Sequence, residues 1–153
     1  MPRYWLLKSE PEVYSIDDLK KDKTTCWEGV RNYQARNFMW KEMSPGDRII
    51  FYHSNATPSA AVGICEVVGH AVPDPSQFDR NSPYFEPKSS REEPRWWCRE
   101  VRFVQKFKNP LPLEVLREDR RLSKMALLQK GSRLSVTPVT EGEFEALCLL
   151  GGV

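Results

Sequence analysis

Two runs in this chain, "IIFY" (49–52) and "AAVGICEVVG" (60–69), are apolar at consecutive positions instead of alternate ones, the second broken only by Glu66. A strand with one face in water alternates apolar and polar residues. Runs as short as these therefore read as strands buried on both faces, which demands cover on each side of whatever sheet they enter. Within the second run Gly63 marks a bulge or a close approach of another backbone.

The flanking elements are short and strongly punctuated. "RYWLLKS" (3–9) reads as a strand ending before Pro11, and "TTCWEGV" as another ending at Gly29. Ser15 with Asp18 forms a capping-box start for a helix over 16–21, and Asn32 can cap a helix over 33–42 that "SPGD" closes. Residues 73–95 hold five of the twelve prolines and show no periodicity, the mark of a functional or mobile loop. "WWCREVRFVQKF" (96–107) reads as a long strand with Val101, Phe103 and Phe107 on one side. "LPLEVLR" and "SKMALLQKG" read as short helices, and "RLSVTPV" (133–139) as a strand that Pro138 confines to an edge. Thr140 and Glu143 cap a last helix over 141–149. Six short strands with irregular crossovers exclude a parallel βαβ sheet. They predict an α+β domain, a small bent mixed β-barrel with short helices packed around it.

At 153 residues the chain is one domain, 1–153. A net charge of only +2 excludes a polybasic arm, so any nucleic-acid contact is a local pocket. The four cysteines have no C-x-x-C spacing, and His53 and His70 are the only histidines, so no metal or other cofactor is expected. The thiols read as buried small hydrophobes of a reducing compartment. With no long apolar segment at the start or elsewhere, the expectation is a soluble protein of the cytoplasm, or of the nucleus in a eukaryote.

Three apolar strands turn polar at an end. "YWLL" runs into Lys8-Ser9-Glu10, "IIFY" into His53-Ser54, and Arg133 with Ser135 frames "RLSV". If these ends meet, they make a polar-lipped pocket with apolar walls, the usual build of a ligand site. In "GVRNYQARN" (29–37) Arg31, Asn32, Gln34, Arg36 and Asn37 supply donors with no acid among them. On the 33–42 helix Arg36 falls in the apolar arc, where it needs a ligand, carbonyls, or an internal carboxylate such as Glu10 or Glu28. Trp40 belongs to the core, whereas Trp27 and Trp96 adjoin polar strand ends where an indole can stack on a planar ligand. Nucleophilic catalysis is poorly supported: His53 and Ser54 are strand neighbours facing opposite ways, and no phosphate loop is present.

"YWLLKSEPEVYSIDDL", "CWEGVRNYQARNFMW", "FYHSN", "PDPSQFD" and "RLSVTPV" together resemble the EVE-domain family of the PUA-like superfamily, which has YTH and ASCH domains as cousins. The resemblance runs in order over essentially the whole chain. It implies a small bent β-barrel and a non-catalytic reader of modified bases in DNA or RNA, modified cytosines first, with no protein partner specified. Carried over by motif, Lys8, Ser9 and Glu10 line the pocket, Trp27 stands where YTH relatives place a cage tryptophan, and Trp96 is a second wall. Arg31, Asn32, Arg36 and Asn37 hydrogen-bond the base edge or flanking phosphates. Tyr52, His53 and Ser54 close the pocket, with Arg133 and Ser135 opposite, and the same motifs bring in Trp5 and Val30. The chain departs from the family in reading Trp97 and Arg99-Glu100-Val101 after Trp96, and Phe85-Glu86 where Tyr and Asp are common. The alternative is an amidohydrolase acting on an acylated cytidine or similar nucleoside, by analogy with ASCH relatives, through Lys21 and Thr24. A peptide-gripping interaction module is a third reading.

Overall fold

The computed structural model describes residues 2–131 and 133–153. It contains β1 (Tyr4–Ser9), α1 (Ile16–Asp22), β2 (Thr24–Trp27), α2 (Tyr33–Asn37), β3 (Arg48–His53), β4 (Ala60–Val67), β5 (Val72–Pro73), β6 (Trp97–Pro112), α3 (Leu113–Glu118), β7 (Val136–Val139) and α4 (Glu141–Gly151). The strands run in the order β2-β6-β4-β3-β1-β7, with the two-residue β5 on the side of β6. Among the described residues only the β1–β3 pair is parallel. The sheet is mixed and bent but does not close: β2 and β7 are its free ends among the described residues, so the predicted barrel is an open curl.

Both faces of this sheet are covered, which explains the doubly apolar runs. Trp5, Leu7, Ile49, Phe51, Cys65, Val67 and Val136 pack with Ile16 and Leu19 of α1 and Ala35, Met39 and Met43 of the α2 segment. The alternate residues Leu6, Ile50, Tyr52 and Ile64 pack on the other face with Leu116 of α3 and Ala146 and Leu147 of α4. Period-two alternation thus sends neighbours into two separate cores. β6 changes sides along its length. Cys65 pairs with Phe103 but Ile64 with Gln105, so one extra residue of β6 enters there and flips the pattern. Val101 and Phe103 pack in the first core, and Phe107, expected beside them, lies in the second.

Gly63 sits where a second irregularity in that ladder begins. A Cβ on it would meet the Gln105 carbonyl oxygen at 2.7 Å and the Ile16 side chain at 3.0 Å, so it is a close approach as predicted. Both predicted capping boxes form, Ser15 with Asp18 and Thr140 with Glu143. α2 continues as a π turn over Phe38–Glu42. The predicted helix in "SKMALLQKG" is only a 3₁₀ turn at Ala126–Leu128. Pro138 does lie on an edge strand.

Two buried charges fasten the frame. Asp47 accepts from the Trp5 indole (3.0 Å), the Ser44 N–H (2.9 Å) and the Arg3 N–H (3.0 Å). Arg99, 4% exposed, donates to the carbonyls of Met39 (2.6 Å), Gly69 (2.8 Å) and Met43. Carbonyls at the C-terminal end of a helical segment are left without N–H partners, and a guanidinium there satisfies several at once.

Candidate ligand cavity

Strand direction brings the three polar ends together. β1 and β3 are parallel, so both C-terminal ends lie at one margin of the sheet, and antiparallel β7 starts there. The Ser54 N–H donates to the Ser9 carbonyl (3.0 Å), and the Lys8 N–H donates to the Ser135 carbonyl (2.9 Å). Lys8, Ser9, Glu10, Ser54, Arg133 and Ser135 consequently line one cavity of about 600 Å³. Thr25, Cys26, Trp27, Glu28, Gly29 and Val30 form its other wall, and Val13, Tyr14 and Tyr84 complete it. β2 and β7 are opposite ends of the sheet order. The cavity therefore fills the gap where the curled sheet brings its two ends toward each other.

The walls are aromatic. Trp27 meets the rings of Phe51 and Tyr14 nearly edge-on, with centroids 5.5 and 6.0 Å away. The Tyr14 hydroxyl donates to Asp22 (2.8 Å), and the Ser9 hydroxyl donates to the Tyr14 carbonyl. Burial and the Asp22 carboxylate push the Tyr14 phenol up to about 12. Two lip groups, Lys8 and Glu28, are shifted toward their neutral forms. Burial lowers the Lys8 ammonium, while burial and then the charge of Asp74 raise the Glu28 carboxyl. Carboxyl oxygens accept and the Lys8 nitrogen donates, so the lip presents both kinds of group to the mixed edge of a nucleobase.

Several residues expected in the pocket support it from behind instead. The Arg31 guanidinium donates to Asp74 (3.0 Å), Ser76 (3.1 Å) and the Tyr84 carbonyl (2.9 Å), so its two terminal nitrogens are taken internally and not offered to a ligand, while its Nε is buried without a partner among the described residues. Asp74 is fully buried. Burial alone would raise its pKa, but bonds from Ser76, the Gly29 N–H and Arg31 hold it below the ordinary carboxylate value. Asn32 caps α2 by accepting from the Gln34 and Ala35 N–H groups. Arg36 donates to the Arg95 carbonyl (2.9 Å) and to Asn37 (2.8 Å), and its guanidinium lies 4.6 Å from the centre of the Tyr33 ring. It is bonded to neither Glu10 nor Glu28.

Trp96, 5% exposed, stacks on Tyr33 and donates its indole N–H to Glu86 (3.3 Å), outside the cavity lining. Trp5 is 2% exposed with its N–H bonded to Asp47, and Tyr52 is buried in the second core. His53 accepts the Ile16 N–H at its Nε2 (3.1 Å), so it anchors the start of α1. Lys21 and Thr24, the residues of the amidohydrolase alternative, are exposed and do not line the cavity.

Sequence reasoning missed Val13, Tyr14, Thr25, Cys26, Glu28, Gly29 and Tyr84 as lining residues. Gly29 had a legible signal: a glycine stands two residues after Trp27, and it takes a φ of +86°. A Cβ there would meet the Tyr84 ring at 2.8 Å, so the glycine lets the loop tyrosine reach the cavity. Tyr84 carried no such signal, because 55 positions of chain separate it from Gly29. The proline-rich segment that delivers it is built around Gln77. That side chain donates to the Asp74 and Trp96 carbonyls (2.8 Å each) and accepts from the Arg95 and Trp96 N–H groups.

Known proteins share this architecture along nearly its full length. Mouse thymocyte nuclear protein 1 is 39% identical over 169 residues, spanning 98% of this chain and 74% of that one. A hypothetical protein from Leishmania major has a structure that superposes with a TM-score of 0.94 at 44% identity, covering 99% of this chain and 96% of the other. Human THYN1 in complex with 5-methylcytosine-containing DNA superposes with a TM-score of 0.92 at 38% identity, covering 99% and 98%. The family model described as the EVE domain matches residues 3–150, and with relatives this similar over this much of their length, the chain belongs to the EVE domain family.

Proposed function

We propose that this protein is a non-catalytic reader that takes a modified base of DNA or RNA into the cavity beside Trp27, modified cytosine being the first candidate. The observation that carries the reading is the cavity itself. An indole and two tyrosines form its apolar walls, and Lys8, Glu10, Glu28, Arg133 and Ser135 supply donors and acceptors at its lip. A human relative of the same fold is known in complex with 5-methylcytosine-containing DNA, which supports the same ligand class here. A base in a duplex reaches such a pocket only by leaving its stack, and stacking on an aromatic face offsets that cost by about 1–3 kcal/mol. Lys8, Ser9, Glu10, Trp27, Val30, Ser54, Arg133 and Ser135 contact the base or its sugar-phosphate. Among the described residues no helix is long and apolar enough to cross a membrane. We place the protein with nucleic acid in the cytoplasm, or in the nucleus of a eukaryote.

The test is fluorescence anisotropy at one fixed salt concentration, since phosphate contacts alone move affinity. Matched DNA and RNA oligonucleotides carry cytosine, 5-methylcytosine, 5-hydroxymethylcytosine or N4-acetylcytosine. Preference for one modified base over cytosine is the expected result. Equal binding to all four, or release of acetate from acetylated cytidine, overturns the reading.

A further inference from the structure

The Cys26 sulfur at the cavity wall has a neighbour. Its Sγ lies 2.7 Å from Sγ of Cys98, 72 positions away in sequence. In the antiparallel β2–β6 ladder Cys26 faces Glu100, and Cys98 stands two residues along β6, so the two are diagonal neighbours on one face. The sulfurs are closer than unbonded thiols ordinarily come and less than an ångström beyond an S–S bond of about 2.05 Å. Both are free thiols, so the expectation of four isolated buried cysteines fails for this pair.

The two sulfurs are unequally placed. Cys26 is exposed and lines the cavity, whereas Cys98 is fully buried opposite Val72 of β5. The hydrogen bond from Cys98 lowers the Cys26 thiol, and that same bond, with burial, raises Cys98. Burial, and after it the charges of Glu28, Asp74 and Glu100, oppose the thiolate at Cys26 without reversing the shift. An accessible sulfur with the more stable thiolate beside a protected one is the arrangement of an attacking and a resolving cysteine.

We propose that Cys26 and Cys98 form a reversible dithiol–disulfide site whose co-reactant is a hydroperoxide, and that oxidation staples β2 to β6 beside Trp27. With hydrogen peroxide, the Cys26 thiolate attacks one oxygen. The O–O bond breaks, hydroxide leaves and takes up the thiol proton as water, and Cys26 becomes a sulfenic acid. The Cys98 sulfur then attacks Cys26 Sγ, the S–O bond breaks, and the departing hydroxide takes the Cys98 proton as a second water. Two thiols lose two electrons in total, and one peroxide becomes two waters. Cys65, fully buried with its thiol pushed far up by burial, and the half-buried Cys148 serve as internal controls.

The experiment treats the full reduced chain with hydrogen peroxide, then alkylates it under denaturing conditions and maps peptides by mass. The expected product is a Cys26–Cys98 linked peptide lighter by two hydrogen atoms, reversed by a thiol reductant, with Cys65 and Cys148 alkylated. Hydrogen exchange of residues 24–30 should slow in the oxidised form. Cys98→Ser should accumulate a Cys26 sulfenic acid trapped by dimedone. The wild-type map needs no variant to fold. Alkylation of all four cysteines after peroxide, links involving Cys148, or a Cys26 that proceeds to sulfinic acid in the wild type overturns the proposal. Unchanged exchange in the linked form overturns the stapling of β2.

Discussion

The Arg31 guanidinium lies 3.0 Å from the Asp74 carboxylate, and 5.3 and 5.2 Å from the ring centres of Tyr84 and Trp96. This pair joins the residues after β2 to the proline-rich segment, and so holds Tyr84 against Gly29 and over the cavity.

Removing the guanidinium leaves a buried carboxylate with fewer partners. Arg31→Ala should cost about 2–4 kcal/mol of stability and expose residues 79–93 to proteolysis. The measurements are urea unfolding and limited digestion followed by mass mapping; a stable, undigested variant removes the role assigned to the pair. The Asp74 pKa is depressed below the ordinary aspartate value of 3.8, so its contribution is present above that pH and lost as pH falls through the folded value.

Trp27→Ala should weaken binding of the preferred modified base roughly ten- to a hundred-fold, the equivalent of one lost stacking contact. Binding to unmodified cytosine should change much less. Trp27→Phe, which keeps a face, should retain part of the preference. Anisotropy on variants whose circular dichroism matches the wild type checks this, and unchanged selectivity in Trp27→Ala removes Trp27 from the site.

His53 holds the start of α1 only while its Nε2 is unprotonated. Burial lowers its pKa in the folded state below the ordinary histidine value of 6.5. As pH drops below 6.5 the unfolded chain takes up the proton first, so folding stability declines until pH has passed the folded value. His53→Gln should lose about 0.5–1.5 kcal/mol at pH 7.5 through the altered hydrogen bond, and should flatten the decline between pH 7.5 and 5.5. Urea midpoints at the two pH values decide the matter.

Gly63→Ala puts a methyl group against the Gln105 carbonyl at the β4–β6 irregularity. Backbone cannot yield there as a flexible side chain would, so the expected loss is about 1–3 kcal/mol, read as a lower denaturation midpoint. A neutral result would mean that the ladder relaxes around the bulge.

Much of the cavity was legible because its inner margin is local. Lys8-Ser9-Glu10, Ser54 and Arg133 with Ser135 each end or begin an apolar run, and the polar switch is visible in the residues themselves. Trp5, Tyr52 and His53 enter the expected site through the family motifs, and no local pattern shows where their side chains go. Alternation in β1 and β3 sends Tyr52 into the second core, while Trp5 and His53 are bound to Asp47 and Ile16.

Sequence alone determined the buried strands, the capped helix starts and the polar strand ends, because each depends on periodicity and on hydrogen bonds within a few residues. Tertiary structure decided what the donors in "GVRNYQARN" do. Arg31 and Arg36 look free in the sequence. Their acceptors, Asp74, the Tyr84 carbonyl and the Arg95 carbonyl, arrive from a segment more than forty positions away. The same long-range closure sets Cys26 against Cys98 and leaves the curl open between β2 and β7, since strand order and register depend on how both faces of the sheet are covered at once.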